Sequence, residues 1–260
     1  MRRPYGQIAM KQIFVLSLLL ILAGCGRKGA LVPPEALVPA TVQNLAVQQQ
    51  GADFRITWAA PTKELGGRPL RDLAGFRLQR RDIAGDGSDC ASCSASWQLL
   101  TAVDLDLPGE TRQSGSTFIY FDRGRPPGST SQYRLLALSK SGGSSLPATS
   151  PLKKMQPLVL APAIRATVLP ASVSIGFDFS PPAGAKLLGF NLYRRPIGAP
   201  PSLLPLNGAP IGQRSWEDQQ LQFGQTYRYA ATALVEIGGE QVESLPSAET
   251  EVLFSLQELR

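Results

Sequence analysis

Histidine is absent from all 260 residues. That removes Ser-His-Asp and Cys-His nucleophilic catalysis and the residue that c-type haem attachment requires after its second cysteine. Cysteine is scarce, at Cys25, Cys90 and Cys93 only. Without histidine, a zinc site would have to combine thiolates with acids, an unusual donor set. A long hydrophobic run is also missing. The stretch Ile13–Ala23 has 11 residues, whereas a helix needs about 20 to cross a bilayer core. Acidic residues are lacking before Cys25, where Arg2, Arg3 and Lys11 stand alone. A strong charge excess is missing from the rest. Setting those three aside leaves 23 basic against 20 acidic residues, a net of +3. That balance does not argue for nucleic acid as a partner.

What is present begins with a basic segment, a short apolar run and a small-residue site, Leu22-Ala23-Gly24-Cys25. This is the make-up of an export signal. Met10-Lys11 begins a compact leader by itself, so translation from Met1 or Met10 supplies one. The run resembles the lipobox of bacterial lipoproteins. The resemblance implies that residues 1–24 are a signal peptide and that Cys25, acylated, becomes the new N-terminus. It implies a covalent lipid at Cys25, no other cofactor, and a cell-envelope location with the membrane as a partner. Gly26 after the cysteine, by analogy with enteric lipoproteins, favours the outer membrane, facing the periplasm or the surface. Residues 25–40 follow as a proline-bearing tether, spanning at most about 45–50 Å if extended at ~3.3 Å per residue. Cys25-Gly26-Arg27-Lys28-Gly29-Ala30-Leu31 is similar to the opening of very small outer-membrane lipoproteins that assist the lipopolysaccharide translocon. Ala30 stands where that family has proline.

The remaining chain, with 25 Gly and 22 Pro in the whole sequence, shows short alternating segments broken by turns, the pattern of an all-β protein. It is also a repeat. Phe54, Ile56 and Trp58 alternate with polar residues, as do Val173, Ile175, Phe177 and Phe179, so each set lies on one face of a strand. Trp58 and Phe179 each precede a proline by three residues. Gly75-Phe76-Arg77-Leu78-Gln79-Arg80-Arg81 recurs as Gly189-Phe190-Asn191-Leu192-Tyr193-Arg194-Arg195, with the phenylalanines and leucines facing the core. Tyr133-Arg134-Leu135-Leu136-Ala137 recurs as Tyr227-Arg228-Tyr229-Ala230-Ala231. Gly142-Gly143 and Gly238-Gly239 then supply hairpin turns. Each copy closes with Ser-Leu-Pro, at Ser145–Pro147 and Ser244–Pro246.

This order resembles fibronectin type III domains. The resemblance implies two tandem immunoglobulin-like antiparallel β-sandwiches, over residues 41–157 and 158–255. It assigns Trp58, with Phe179 in its place in the second copy, to the core of the second strand. It assigns Tyr133 and Tyr227 to the tyrosine corner of such sandwiches. The first copy is longer in the middle, where Asp86-Gly87-Ser88-Asp89-Cys90-Ala91-Ser92-Cys93 falls. That insertion is either a partner contact or tolerated surface variation.

Candidate chemistry is thin. Cys90 and Cys93 read as a local disulfide in an oxidising compartment; a redox-active pair would need a thioredoxin-like βαβ context. Asp82, Asp86 and Asp89 lack the ligand spacing of a calcium loop. Ser139 and Lys140 are adjacent on a strand and point to opposite faces. Asp104 and Asp106 read as the wet side of a sheet. The recurring pairs Arg80-Arg81 and Arg194-Arg195 are either contacts for an anionic envelope polymer or lipid head group, or a charged edge that discourages strand addition. The expectation is a lipid-anchored, non-catalytic binding or scaffolding protein with an envelope protein or polysaccharide partner. Two alternatives stay open: a translocon accessory acting through its lipopeptide, and a carbohydrate-active or thiol-redox enzyme.

Overall fold

The computed structural model describes residues 33–83 and 97–255. They are all-β apart from one 3-10 turn at Pro34–Leu37. Cys25, Cys90, Cys93, Asp86 and Asp89 lie outside the described residues.

The first module contains β1 (Ala46–Gln50), β2 (Asp53–Ala59), β3 (Leu73–Ile83), β4 (Gln98–Asp104), β5 (Arg112–Ser114), β6 (Thr117–Asp122), β7 (Thr130–Ser139), β8 (Ala148–Thr149) and β9 (Lys153–Lys154). One sheet runs β1-β2-β6-β5 and the other β4-β3-β7-β8, with β9 also on β7. The second module contains β10 (Ala163–Val168), β11 (Val173–Asp178), β12 (Lys186–Pro196), β13 (Ser215–Asp218), β14 (Thr226–Ile237), β15 (Glu240–Glu243) and β16 (Thr250–Leu253). Its sheets are β10-β11-β13 and β12-β14-β15, with β16 continuing along β14. This is an immunoglobulin-like arrangement of two antiparallel sheets, present twice.

Period-two alternation builds each core. Phe54, Ile56, Trp58, Phe76, Leu78, Tyr133 and Leu135 are buried in the first, and Val173, Ile175, Phe177, Phe190, Leu192, Tyr229 and Val235 in the second. Each fully buried large aliphatic or phenylalanine side chain contributes about 1.5–3 kcal/mol. Aromatic rings interlock: Trp58 stacks on Phe118 at 5.7 Å and meets Phe76 edge-on at 5.6 Å. Phe177 stacks on Phe190 at 4.5 Å.

Cross-strand register corrects two sequence-level equivalences. Phe54 faces Asp122, and Val173 faces Asp218, so Phe177 rather than Phe179 is the counterpart of Trp58. Arg80 faces Tyr133, and Arg194 faces Tyr229, so Tyr229 rather than Tyr227 matches Tyr133. Both slips are two residues. A two-residue slip keeps every side chain on its own face, so hydrophobic alternation does not detect it. The tyrosine roles divide accordingly. The Tyr227 hydroxyl accepts the Gln222 backbone N–H at 2.9 Å, a tyrosine corner. The Tyr133 hydroxyl instead donates to the Asp122 carboxylate at 2.7 Å.

The repeated glycines and serines have a shared physical cause. A Cβ on Gly75 would lie 1.9 Å from the Val103 carbonyl oxygen, and one on Gly189 would lie 2.8 Å from that of Ile211. Both glycines let the edge segment close on the strand at a register shift. In each Ser-Leu-Pro the serine replaces part of the ladder. Ser145 Oγ accepts the Ala137 N–H at 2.9 Å and donates to the Leu146 carbonyl. Ser244 Oγ does the same with Ala233 and Leu245. The proline, which has no N–H, follows where a ladder bond has been given up.

The proposed tether ends earlier than its composition suggests. Gly66 N–H donates to the Ala36 carbonyl, Leu65 N–H to that of Val38, and Ala40 N–H to that of Lys63, at 2.8–2.9 Å. Residues 36–40 are therefore docked on the first module.

The two modules share one sheet. β1 pairs with β15 in parallel, Gln49 opposite Val242 and Gln50 opposite Glu243. The first module's β1-β2-β6-β5 sheet thus continues into the second module's β15-β14-β12 sheet. Gln49, 3% exposed, fastens the connecting segment. Its amide donates to the Gln156 carbonyl at 3.0 Å and its oxygen accepts the Gln156 N–H at 2.8 Å.

Candidate functional site

Polar side chains from both modules converge on Glu243, which is fully buried. Tyr193 and Thr232 hydroxyls donate to its Oε1 at 2.5 Å each, and the Asn191 amide donates at 3.1 Å. From the first module, Arg55 Nη2 lies 3.2 Å from Glu243 Oε2. Arg55 also donates to the Tyr193 hydroxyl at 3.3 Å and to Gln48 at 3.0 Å. Gly51 N–H donates to the Glu243 carbonyl at 2.8 Å. Gly51 has φ of 59°, and a Cβ there would lie 3.0 Å from Leu245 Cδ2. Only glycine suits both the turn and the approach.

Beside this cluster lies a groove of about 490 Å³, with walls from both modules. The β1–β2 turn at Gln50–Asp53, with Phe121, forms one wall. The outer face of β12 and β14, with Tyr193, Ala230 and Thr232, forms the floor. Leu245–Ser247 and Pro201–Ser202 complete it. Arg195, Arg228 and Glu249 sit at its border.

The four arginines singled out by the repeat have definite partners. Arg80 donates from Nη1 to both oxygens of Asp122 at 2.8 and 2.9 Å. Arg194 does so with Asp218 at 2.8 and 2.6 Å. Each carboxylate also accepts a tyrosine hydroxyl, from Tyr133 at 2.7 Å and Tyr229 at 2.8 Å. Every module therefore contains one buried Arg-Asp-Tyr triad. Burial alone would lower the Arg80 pKa, but its hydrogen bond and charge contact with Asp122 outweigh that and raise it. An external anion would have to displace Asp122 or Asp218 to reach Arg80 or Arg194. Arg81 donates to Gln132 at 2.8 Å and lies over the Trp97 ring, as Arg134 does from 4.4 Å. Arg195 pairs with both oxygens of Glu249 and donates to the Ala199 carbonyl. The Arg195 hydrogen bond holds the Glu249 carboxyl below its ordinary range.

The other candidates sit apart. Asp104 and Asp106 are exposed, with Asp104 accepting the Asp106 N–H. Ser139 Oγ bonds Ser141 and Gly143. Among the described residues no group of three His, Cys, Asp or Glu could hold a metal, and no helix is long and apolar enough to cross a membrane.

Three tyrosine phenols are pushed well above their ordinary value of 10.0, by burial first and then by a facing carboxylate. That carboxylate is Asp122 for Tyr133, Glu243 for Tyr193 and Asp218 for Tyr229. A raised phenol favours the protonated, folded form. Its stabilisation is complete below the unfolded pKa of about 10 and is lost as pH rises beyond it. Tyr120 is raised as well, by burial and then by Asp122, so alkaline titration should show at least half of the six tyrosines ionising late and together with unfolding. Six phenols ionising near pH 10 in a protein that stays folded by circular dichroism would contradict this.

No family model matches the chain, and no curated protein matches it. Among solved structures, the crystal structure of chicken CNTN1 FN1-FN3 domains is similar at 12% identity and a TM-score of 0.33. The match covers 84% of this chain and 69% of that one.

Proposed function

We propose that the chain is a lipid-anchored lipoprotein of the bacterial envelope whose two modules act as one non-catalytic binding unit. The observation that carries the binding-unit reading is the shared sheet sealed by Glu243. It makes a single groove to which both modules contribute. The anchor rests on the Cys25 motif. With residues 36–40 docked and Pro34–Leu37 wound into a 3-10 turn, the eight residues from Gly26 to Pro33 are left as tether, a reach of at most about 26 Å if extended. An envelope protein or polysaccharide is the expected class of partner, and no step of chemistry is required.

Mass spectrometry of the membrane fraction should find an acylated N-terminal Cys25. Cys25→Ser should move the protein to the soluble fraction with its folded core unchanged. A Cys25→Ser protein that stays with the membrane would refute the anchor. Cross-linking of the anchored protein should capture a partner through residues of the second module's outer sheet. A chain truncated after Val38 that restored the whole function in a deletion strain would instead place the activity in the lipopeptide.

A further inference from the structure

The chemistry of the groove narrows what it can hold. Its hydroxyls are already committed. Tyr193 and Thr232 donate to Glu243, Ser202 to the Leu204 carbonyl, and Ser247 to the Ala248 carbonyl. None has a proton left for a ligand oxygen. A glycan or phosphate, whose recognition depends on many directed hydrogen bonds, finds little here. The charged border is balanced. Arg195 and Arg228 face Glu249 and Glu251, with pairings at 2.6 Å for Arg195–Glu249 and 3.1 Å for Arg228–Glu251. A polyanion gains nothing from such a border. What the groove offers is mainly carbon surface, from Phe121, Tyr193, Pro201, Ala230, Leu245 and Pro246, with the Asp53 carboxylate and the Gln50 amide at the β1–β2 turn. It also offers the Nη N–H groups of Arg228, whose Nε already donates to Glu251 and whose side chain is 36% exposed; they donate and never accept.

The matching ligand has an apolar body, carries hydrogen-bond acceptors and needs no more than a few donors, which Asp53 can accept. A proline-rich peptide in the polyproline II conformation has that description: its carbonyls accept, its prolines lack N–H, and little chain entropy is lost on docking. An acyl chain would fill the apolar part but leave Arg228 unused. We propose that the groove between the modules binds a proline-rich, uncharged extended segment of a partner protein, with Ala230 on its floor and Arg228 donating to a peptide carbonyl. This rests on the binding-unit reading above and gives it a ligand class.

The test uses the full-length protein with a capped peptide, Ala-Pro-Pro-Leu-Pro-Pro-Ala, in calorimetric titration and in NMR with labelled amides. Binding at or below about millimolar concentration is expected, with shifts at Gly51, Ala230 and Thr232. Ala230→Trp should weaken it about tenfold or more, and Arg228→Gln by a smaller factor. Because Ala230→Trp alters the floor, its melting curve should match the parent's; Ala230→Gln is the second variant if it does not. A glycine-serine peptide of equal length should not bind. The proposal is overturned if the proline peptide leaves those amides unmoved. It is equally overturned if dodecanoate or a chitin tetramer shifts them and the peptide does not. Cross-linking to a partner at another surface, with the groove silent, would sink the ligand class and leave the binding-unit reading standing.

Discussion

Glu243→Ala should destabilise the protein by about 3–5 kcal/mol, the cost of removing one member of a buried ion pair. Glu243 is fully buried and accepts from Asn191, Tyr193 and Thr232. Without it those donors and the Arg55 guanidinium, 9% exposed, lose their acceptor inside the protein. Since Arg55 belongs to one module and the other partners to the second, the damage should fall on their coupling. Denaturant unfolding is expected to change from one transition to two. Replacing Arg55 and Glu243 together by Met and Leu should recover the part of the loss due to the unpaired guanidinium, but not the part due to Asn191, Tyr193 and Thr232, which still lack their acceptor. A Glu243→Ala protein within about 0.5 kcal/mol of the parent, still unfolding in one step, would show that the cluster does not hold the modules together.

Asp218→Ala should cost a similar amount, about 3–5 kcal/mol, but within the second module alone. Asp218 is 1% exposed and holds both Arg194 and Tyr229. Asp122→Ala is the matching change in the first module, where Arg80 and Tyr133 lose their acceptor. Asp218→Asn keeps the shape and loses the charge, so it should fall between parent and alanine. Hydrogen exchange would locate each effect. Loss of protection in β11–β14 for Asp218→Ala, with β2–β7 intact, is the expected pattern. Equal loss in both modules would mean that the triads do not act locally.

The sandwich strands were legible because one face of each is buried. Phe76 with Leu78, and Phe190 with Leu192, could only be core positions of paired strands. Register offsets of two residues were not legible. Phe177 and Phe179 share a face, as do Tyr227 and Tyr229, and only the cross-strand partners Asp122 and Asp218 separate them. The triads had a visible trace in the recurring Arg80 and Arg194. Their carboxylates sit in segments of little similarity, Phe118–Asp122 and Trp216–Asp218, so the pairing did not show.

The junction was harder to read for a different reason: it is where the copies disagree. With the register known, Glu243 stands opposite Ser144 in the repeat, Arg55 opposite Ser174, Tyr193 opposite Gln79 and Thr232 opposite Leu136. Core positions repeat while these outward positions do not. A sequence reading that seeks only similarity passes over them. Divergence at these outward positions was the available signal for where the copies meet.

The parallel pairing of β1 with β15 has a consequence for either module alone. Cut apart, each would present a bare row of backbone donors and acceptors, along Gln49–Gln50 on one side and Val242–Glu243 on the other. Such rows recruit other chains. Each module is therefore the other's protective cap, and an isolated half is expected to self-associate through the strand its neighbour covered.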